Sequence, residues 1–125
     1  MQYTLMFYLS PDEFTARIDP KRSEAFWGAF LPYMQAVRDA GIFRGGAGLE
    51  TPDTATTVTI RDGKRLVQDG PYADTKEQLG GFFVIEVPDL DTALDWAARY
   101  PAGPHGLVEV RPNISAPSGE RGEQK

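Results

Sequence analysis

A chain of 125 residues holds one domain, long enough for a hydrophobic core and small enough that a partner chain can complete part of it. The formal charge of −5 argues against a general nucleic-acid or anionic-membrane binder, because neutralising phosphates takes clustered Lys and Arg. The absence of cysteine removes disulfides, thiol catalysis and zinc-thiolate sites together, and a single histidine excludes an imidazole-rich metal site.

Tyr3, Leu5, Phe7 and Leu9 fall on one face of a first strand, with Gln2, Thr4, Met6 and Tyr8 on the other. This run lacks a basic leader and is too short to span a bilayer, which predicts a soluble, cytoplasmic protein. Ser10-Pro11-Asp12-Glu13 reads as a capping box with proline at the first helical position, opening a short helical turn. Asp19-Pro20 repeats that signal for a longer helix, where Phe26, Phe30, Tyr33 or Met34, and Val37 recur at helical spacing until Gly41. Pro32 predicts a kink within it, since it removes one donor and crowds the carbonyl of Gly28.

Gly45-Gly46-Ala47-Gly48-Leu49 lacks the Lys-Ser/Thr of a phosphate-binding loop and leads towards Pro52 and a strand, so it reads as a strand with a bulge or close backbone approach. Residues 56–61 and 64–68 flank Asp62-Gly63, the pair that a type I′ hairpin turn demands. Residues 82–87 form the next strand. Pro88-Asp89 opens a second helix with Asp89 as N-cap and Leu90, Leu94 and Ala97 as its buried stripe. Residues 107–111 are the last strand, stopped by Pro112. Residues 113–125 contain only Ile114 as a large apolar side chain, which predicts a disordered tail behind a domain of residues 1–112.

Strand, helix, strand, hairpin, strand, helix, strand is an α+β order. It predicts a ferredoxin-like antiparallel sheet with two helices on one face and a β-hairpin insertion. Phe82 and Val84 oppose Phe83, Ile85 and Val87, so the sheet is apolar on both faces. A second subunit's sheet covering the outer face predicts a homodimer.

The richest chemical segment is Asp69-Gly70-Pro71-Tyr72-Ala73-Asp74-Thr75-Lys76-Glu77, a polar run between two strands and thus a candidate pocket lip. It closely resembles the Asp-Gly-Pro-Phe-Ala-Glu-Thr-Lys-Glu motif of the YCII-related family, in the branch called DGPF, with Tyr72 in place of Phe and Asp74 in place of Glu. Thr56-Thr57-Val58, Arg61-Asp62-Gly63, Gly80-Gly81-Phe82, Ala93-Leu94 and the run from Gly106 to Pro112 extend the resemblance over most of the chain. It implies ferredoxin-like dimers of the α+β barrel type. No settled reaction goes with this branch; some members are encoded beside alternative sigma factors, which suggests signalling.

For chemistry, Asp69 at a strand end is a candidate general base or polar anchor, or an Asx-type cap of the turn. Glu77 adjoins the sheet as a second proton carrier, and His105 titrates near neutrality. Tyr72, Asp74, Lys76 and Arg111 are candidate ligand-binding groups. Lys76 and Glu77 read more readily as solvated loop charges, and Arg111 more readily as half of a structural ion pair with Glu86 or Glu109. The wider family is associated with a His and Asp pair near its cavity, with which His105 does not align. No cofactor or metal is expected, since Asp69, Asp74 and Glu77 lack a ligand rhythm. Two readings follow: a small enzyme binding an organic molecule without a prosthetic group, and a non-catalytic sensor or interaction module.

Overall fold

A computed structural model describes residues 1–101 and 106–115. Strands β1 (Gln2–Leu9), β2 (Phe43–Gly48), β5 (Gln78–Glu86) and β6 (Leu107–Pro112) form an antiparallel sheet in the order β2-β5-β1-β6. Helices α1 (Pro11–Ile18) and α2 (Ser23–Asp39) carry the chain from β1 to the β2 edge, and α3 (Leu90–Ala98) carries it from β5 to the β6 edge. That is the ferredoxin-like order. Strands β3 (Thr56–Arg61) and β4 (Lys64–Asp69) form the inserted hairpin as a separate two-stranded sheet. Asp62 at φ 50° and Gly63 at φ 75° make its turn, the two positive values that the Asp-Gly pair predicts.

Burial alternates strictly along β1, with Tyr3, Leu5, Phe7 and Leu9 buried under the helices. Leu5, Ile85 and Val37 are fully buried at the centre. Around them the rings lock at angles: Phe7 meets Phe83 edge to face at 5.1 Å, Tyr33 lies parallel to Phe83 at 6.0 Å, and Tyr100 stacks on Phe7 at 4.3 Å.

Among the described residues three α-helices are present rather than two. The Ser10 box holds as read: Ser10 Oγ accepts from the Glu13 N–H at 3.2 Å and Glu13 Oε1 from the Ser10 N–H at 2.9 Å. Its two reciprocal bonds and the buried Phe14 extend the expected turn to eight residues. Asp19 does not start α2. It ends α1, and its carboxylate accepts from the Lys21 N–H at 2.9 Å; α2 then begins at Ser23 behind Arg22, which makes no side-chain cap bond. Through Pro32 the helix runs uninterrupted, because Pro32 and Gly28 are exposed and water can take the freed carbonyl. Asp89 caps α3 as expected, accepting from the Thr92 N–H at 2.9 Å. Its buried stripe is shifted, however: Ala93 is fully buried with Trp96, Ala97 and Tyr100 beside it, while Leu90 and Leu94 are exposed. After β6, the Asn113 N–H donates to the Gln2 carbonyl at 2.9 Å. Residues 116–125 of the expected tail, and His105, lie outside the described residues.

No helix among the described residues is long and apolar enough to cross a membrane.

Candidate functional site

A β-bulge between Phe7 and Tyr8 sets Phe7 opposite Gly81 but Tyr8 opposite Leu79, and Gly80 and Gly81 are both buried. A second irregularity, between Phe43 and Gly45, brings β2 close to β5. Close approach explains three of the glycines here. A Cβ on Gly46 would lie 2.3 Å from the Phe82 carbonyl oxygen, one on Gly80 2.6 Å from Leu9 Cδ1, and one on Gly81 2.9 Å from the Ala47 carbonyl oxygen. Gly48 differs, since a Cβ there would meet nothing. Gly46 and Gly48 are two apart and share a face, and Gly46 is the one directed at the Phe83 ring.

Opposite this glycine strip stands α2, with Phe26, Trp27, Phe30, Leu31 and Met34. Large side chains on the helix facing glycine backbone on the strip leave a gap that the chain does not fill. The result is a cavity of about 370 Å³, continued inward by Phe7, Phe43, Phe83 and Tyr100. Arg17 and Arg38 are the only charged side chains among the described residues lining it.

Arg17, in the last turn of α1, donates to the carbonyl oxygens of Gly80, at 3.2 Å, and Leu49, and lies 4.9 Å over the Phe14 ring. The Trp27 indole N–H donates to the Arg17 carbonyl oxygen at 3.2 Å. Burial lowers the pKa of the Arg17 guanidinium from its ordinary value, with Tyr100 and Glu50 opposing. Arg38 lies 4.6 Å over the Phe43 ring. Neither guanidinium is ion-paired to a carboxylate among the described residues. Burial pushes the Tyr100 phenol up to about 12, with Glu13 adding to it, so Tyr100 meets the cavity as a neutral phenol.

The residues singled out in the sequence lie elsewhere. Asp69 ends β4 opposite Thr56 and is exposed; among the described residues its carboxylate takes no hydrogen bond. The turn after it is held instead by backbone and threonine, with the Gly70 N–H donating to the Ala55 carbonyl and Thr57 Oγ1 to the Gly70 carbonyl, both at 2.7 Å. Tyr72 is 89% exposed, and Asp74 and Lys76 are exposed beside it. Glu77 is half-buried, and its carbonyl accepts from Thr75 Oγ1 at 2.7 Å. Gln78 ties the motif down, its amide donating to the carbonyls of Ala73 at 2.8 Å and Thr75 at 2.9 Å. Arg111 stands exposed on β6 opposite Thr4. It forms no ion pair with Glu86 or Glu109 among the described residues, because Glu86 meets the Met1 amino group at 2.6 Å and Glu109 faces the Tyr8 hydroxyl.

None of Asp69, Tyr72, Asp74, Lys76, Glu77 or Arg111 lines the aromatic cavity. The motif adjoins a separate, more open cleft through Pro71, with Gln78 just beyond it. Phe26 and Phe30 are visible in the sequence as a helical stripe, but a stripe facing a core and one facing a cavity look alike. Arg17 and Trp27 give no sequence signal at all. Among the described residues no group of three or more His, Asp or Glu is placed to hold a metal ion.

The model of the YCII-related domain matches residues 1–115. Uncharacterized protein R00369 of Rhizobium meliloti (strain 1021) is 43% identical over 76 residues, which make up 59% of this chain and 61% of that protein, so the chain spans less than two thirds of that relative's length. Among solved structures, 5-chloro-2-hydroxyhydroquinone dehydrochlorinase from Burkholderia phenoliruptrix AC1100, in complex with 2,5-dihydroxybenzoquinone, aligns with a TM-score of 0.48 at 18% identity, covering 92% of this chain and 96% of that one.

Proposed function

The chain belongs to the YCII-related domain family, and we propose that within it this protein binds a small organic molecule in the cavity between α2 and the β2–β5 half of the sheet, as a homodimer joined through the outer sheet face. The observation that carries the reading is the cavity itself. Its volume of about 370 Å³ lies in the range of small-ligand sites, roughly 300–1,000 Å³, and its walls combine apolar rings with a few polar groups, the usual composition of such sites. Binding is favoured over turnover in this cavity, because no carboxylate or imidazole among the described residues lines it. A thermal-shift screen of small molecules against the full chain and Gly48→Leu tests the site. Ligands should raise the melting temperature of the parent and lose that effect in the variant, whose new side chain occupies the open space over Gly48. Hits that act equally on both proteins place the ligand elsewhere.

A second reading keeps proton transfer with Asp69, Glu77 and His105, and the detached hairpin favours it. Among the described residues strands β3 and β4 pair only with each other, and they expose Val58 at 55%, Ile60 at 65% and Val67 at 56%. A two-stranded hairpin is marginal in water by itself. Packing against a second subunit would cover it and carry the adjoining Asp69 towards that subunit's cavity. Asp69→Asn and Glu77→Gln separate the two readings: ligand response is unchanged under the first and reduced under the second.

A further inference from the structure

Resting on the reading of the cavity as a ligand site, we infer that its ligand class is a planar aromatic anion, with the ring between α2 and the glycine strip and the anionic group at Arg17. The walls call for a flat apolar body. Phe26, Trp27 and Phe30 face a strip where Gly48 offers open backbone, and a flat ring can approach such a strip more closely than a branched aliphatic group can. The charge balance calls for an anion. This acidic chain has 18 Asp and Glu against 13 Lys and Arg, yet the charged side chains lining the cavity, among the described residues, are Arg17 and Arg38. Both lack a carboxylate partner among those residues.

Arg17 is the better placed of the two. It is drawn partly out of water, and burial disfavours its charged form. The groups it reaches, the carbonyl oxygens of Gly80 and Leu49, are neutral. They occupy two of the five N–H donors of a guanidinium. An anion on the remaining donors offsets the hydration that burial removed, and a carboxylate or sulfonate matches the planar fork in two parallel bonds. Arg17 and Trp27 also line the adjoining surface cleft beside Leu49 and Glu50, so the anionic end has a route in from solvent.

Isothermal titration calorimetry of the full chain with 2-naphthoate and with neutral 2-naphthylmethanol tests this directly. The carboxylate should bind about tenfold more tightly, the factor expected of one charge-assisted hydrogen bond. Raising the salt concentration should weaken the naphthoate alone. Arg17→Gln should bring the two affinities together, and Arg17→Lys, which keeps the charge without the fork, should fall between. Equal binding of both compounds by the parent protein overturns the anion assignment and leaves the cavity reading standing. Failure of both compounds to bind overturns both. Because the two compounds are compared on the parent protein, the outcome is decided even where an Arg17 variant folds poorly.

Discussion

The Tyr33 hydroxyl donates to the Trp96 carbonyl oxygen at 2.9 Å, fastening the middle of α2 to the last turn of α3. Tyr33 is otherwise enclosed by rings, parallel to Phe83 and edge-on to Phe7, and burial raises the pKa of its phenol above the ordinary value. Its one polar atom therefore has a single task in the core. Tyr33→Phe keeps the ring and deletes the bond. The Trp96 carbonyl retains the Arg99 N–H at 3.2 Å, so the loss should stay near the usual net value of about 1 kcal/mol. In thermal denaturation that is a drop of roughly 4 °C for a domain of this size. An unchanged melting temperature would show that α2 and α3 are held by ring packing alone.

The glycines of β2 should divide sharply under substitution. Gly46→Ala forces a Cβ to within 2.3 Å of the Phe82 carbonyl oxygen, a backbone atom that can yield only by breaking the β2–β5 register. It should cost roughly 1–3 kcal/mol, the typical range for overpacking. Gly48→Ala meets nothing and should stay within about 0.5 kcal/mol of the parent. Equilibrium denaturation of the two variants checks the contrast. Equal losses would mean that β2 stands further from β5 at Gly46 than this geometry requires.

These glycines also mark how far a sequence alone can be read. The alternation of β1, the Ser10 capping box, the Asp62-Gly63 turn and the Asp89 cap are local, each carried by neighbours a few residues apart, and each appears as read. So does the close approach at Gly46, where the Phe82 carbonyl occupies the space a side chain would take, beside the irregularity between Phe43 and Gly45. What fails is long-range. Leu90 and Leu94 satisfy helical spacing as well as Ala93 and Ala97 do, and only the angle at which α3 meets the sheet decides which pair is buried. The cavity is hidden for the same reason. It needs Arg17 from α1, Trp27 from α2 and Gly80 from β5, and no periodicity links these three. The Asp69 motif, by contrast, is conspicuous because it is polar and dense, which are properties of an exposed loop as much as of a site.

Alkaline pH should expose the buried phenols. Burial holds Tyr100 protonated up to about 12, and Tyr33 likewise above its ordinary value, whereas the unfolded chain releases these protons near pH 10. Above about pH 10 the folded state thus binds more protons than the unfolded state, and stability falls as pH rises. Below that pH both states hold the protons and the contribution is flat. Urea denaturation at successive pH values should give a declining stability above about pH 10, with a shallower decline in Tyr100→Phe. Identical slopes for parent and variant would remove Tyr100 from the account.

The outer sheet face carries the last prediction. Met6 lies opposite Phe82 and Thr4 opposite Val84, so these side chains share the face that the helices do not cover, and all four are half-buried rather than enclosed. Tyr8 adds a phenol to the same face, with its pKa raised by burial and by Glu109. A strip that joins Met6, Phe82 and Val84 to polar neighbours at Glu109 and Arg111 has the composition of a standard interface, apolar at its centre and charged at its rim. Covering it with a second copy removes apolar surface from water at about 25 cal/mol per Å². Sedimentation velocity should therefore find a dimer at micromolar concentration. Val84→Glu places a carboxylate in the apolar centre, where two copies would bring like charges together without partners, and should shift the protein to monomers. Its far-ultraviolet circular dichroism should stay that of the parent, since position 84 points away from the helix-covered core. A monomeric parent protein rejects this interface outright, and a Val84→Glu variant that remains dimeric moves it to another surface, the exposed face of the β3–β4 hairpin being next in line.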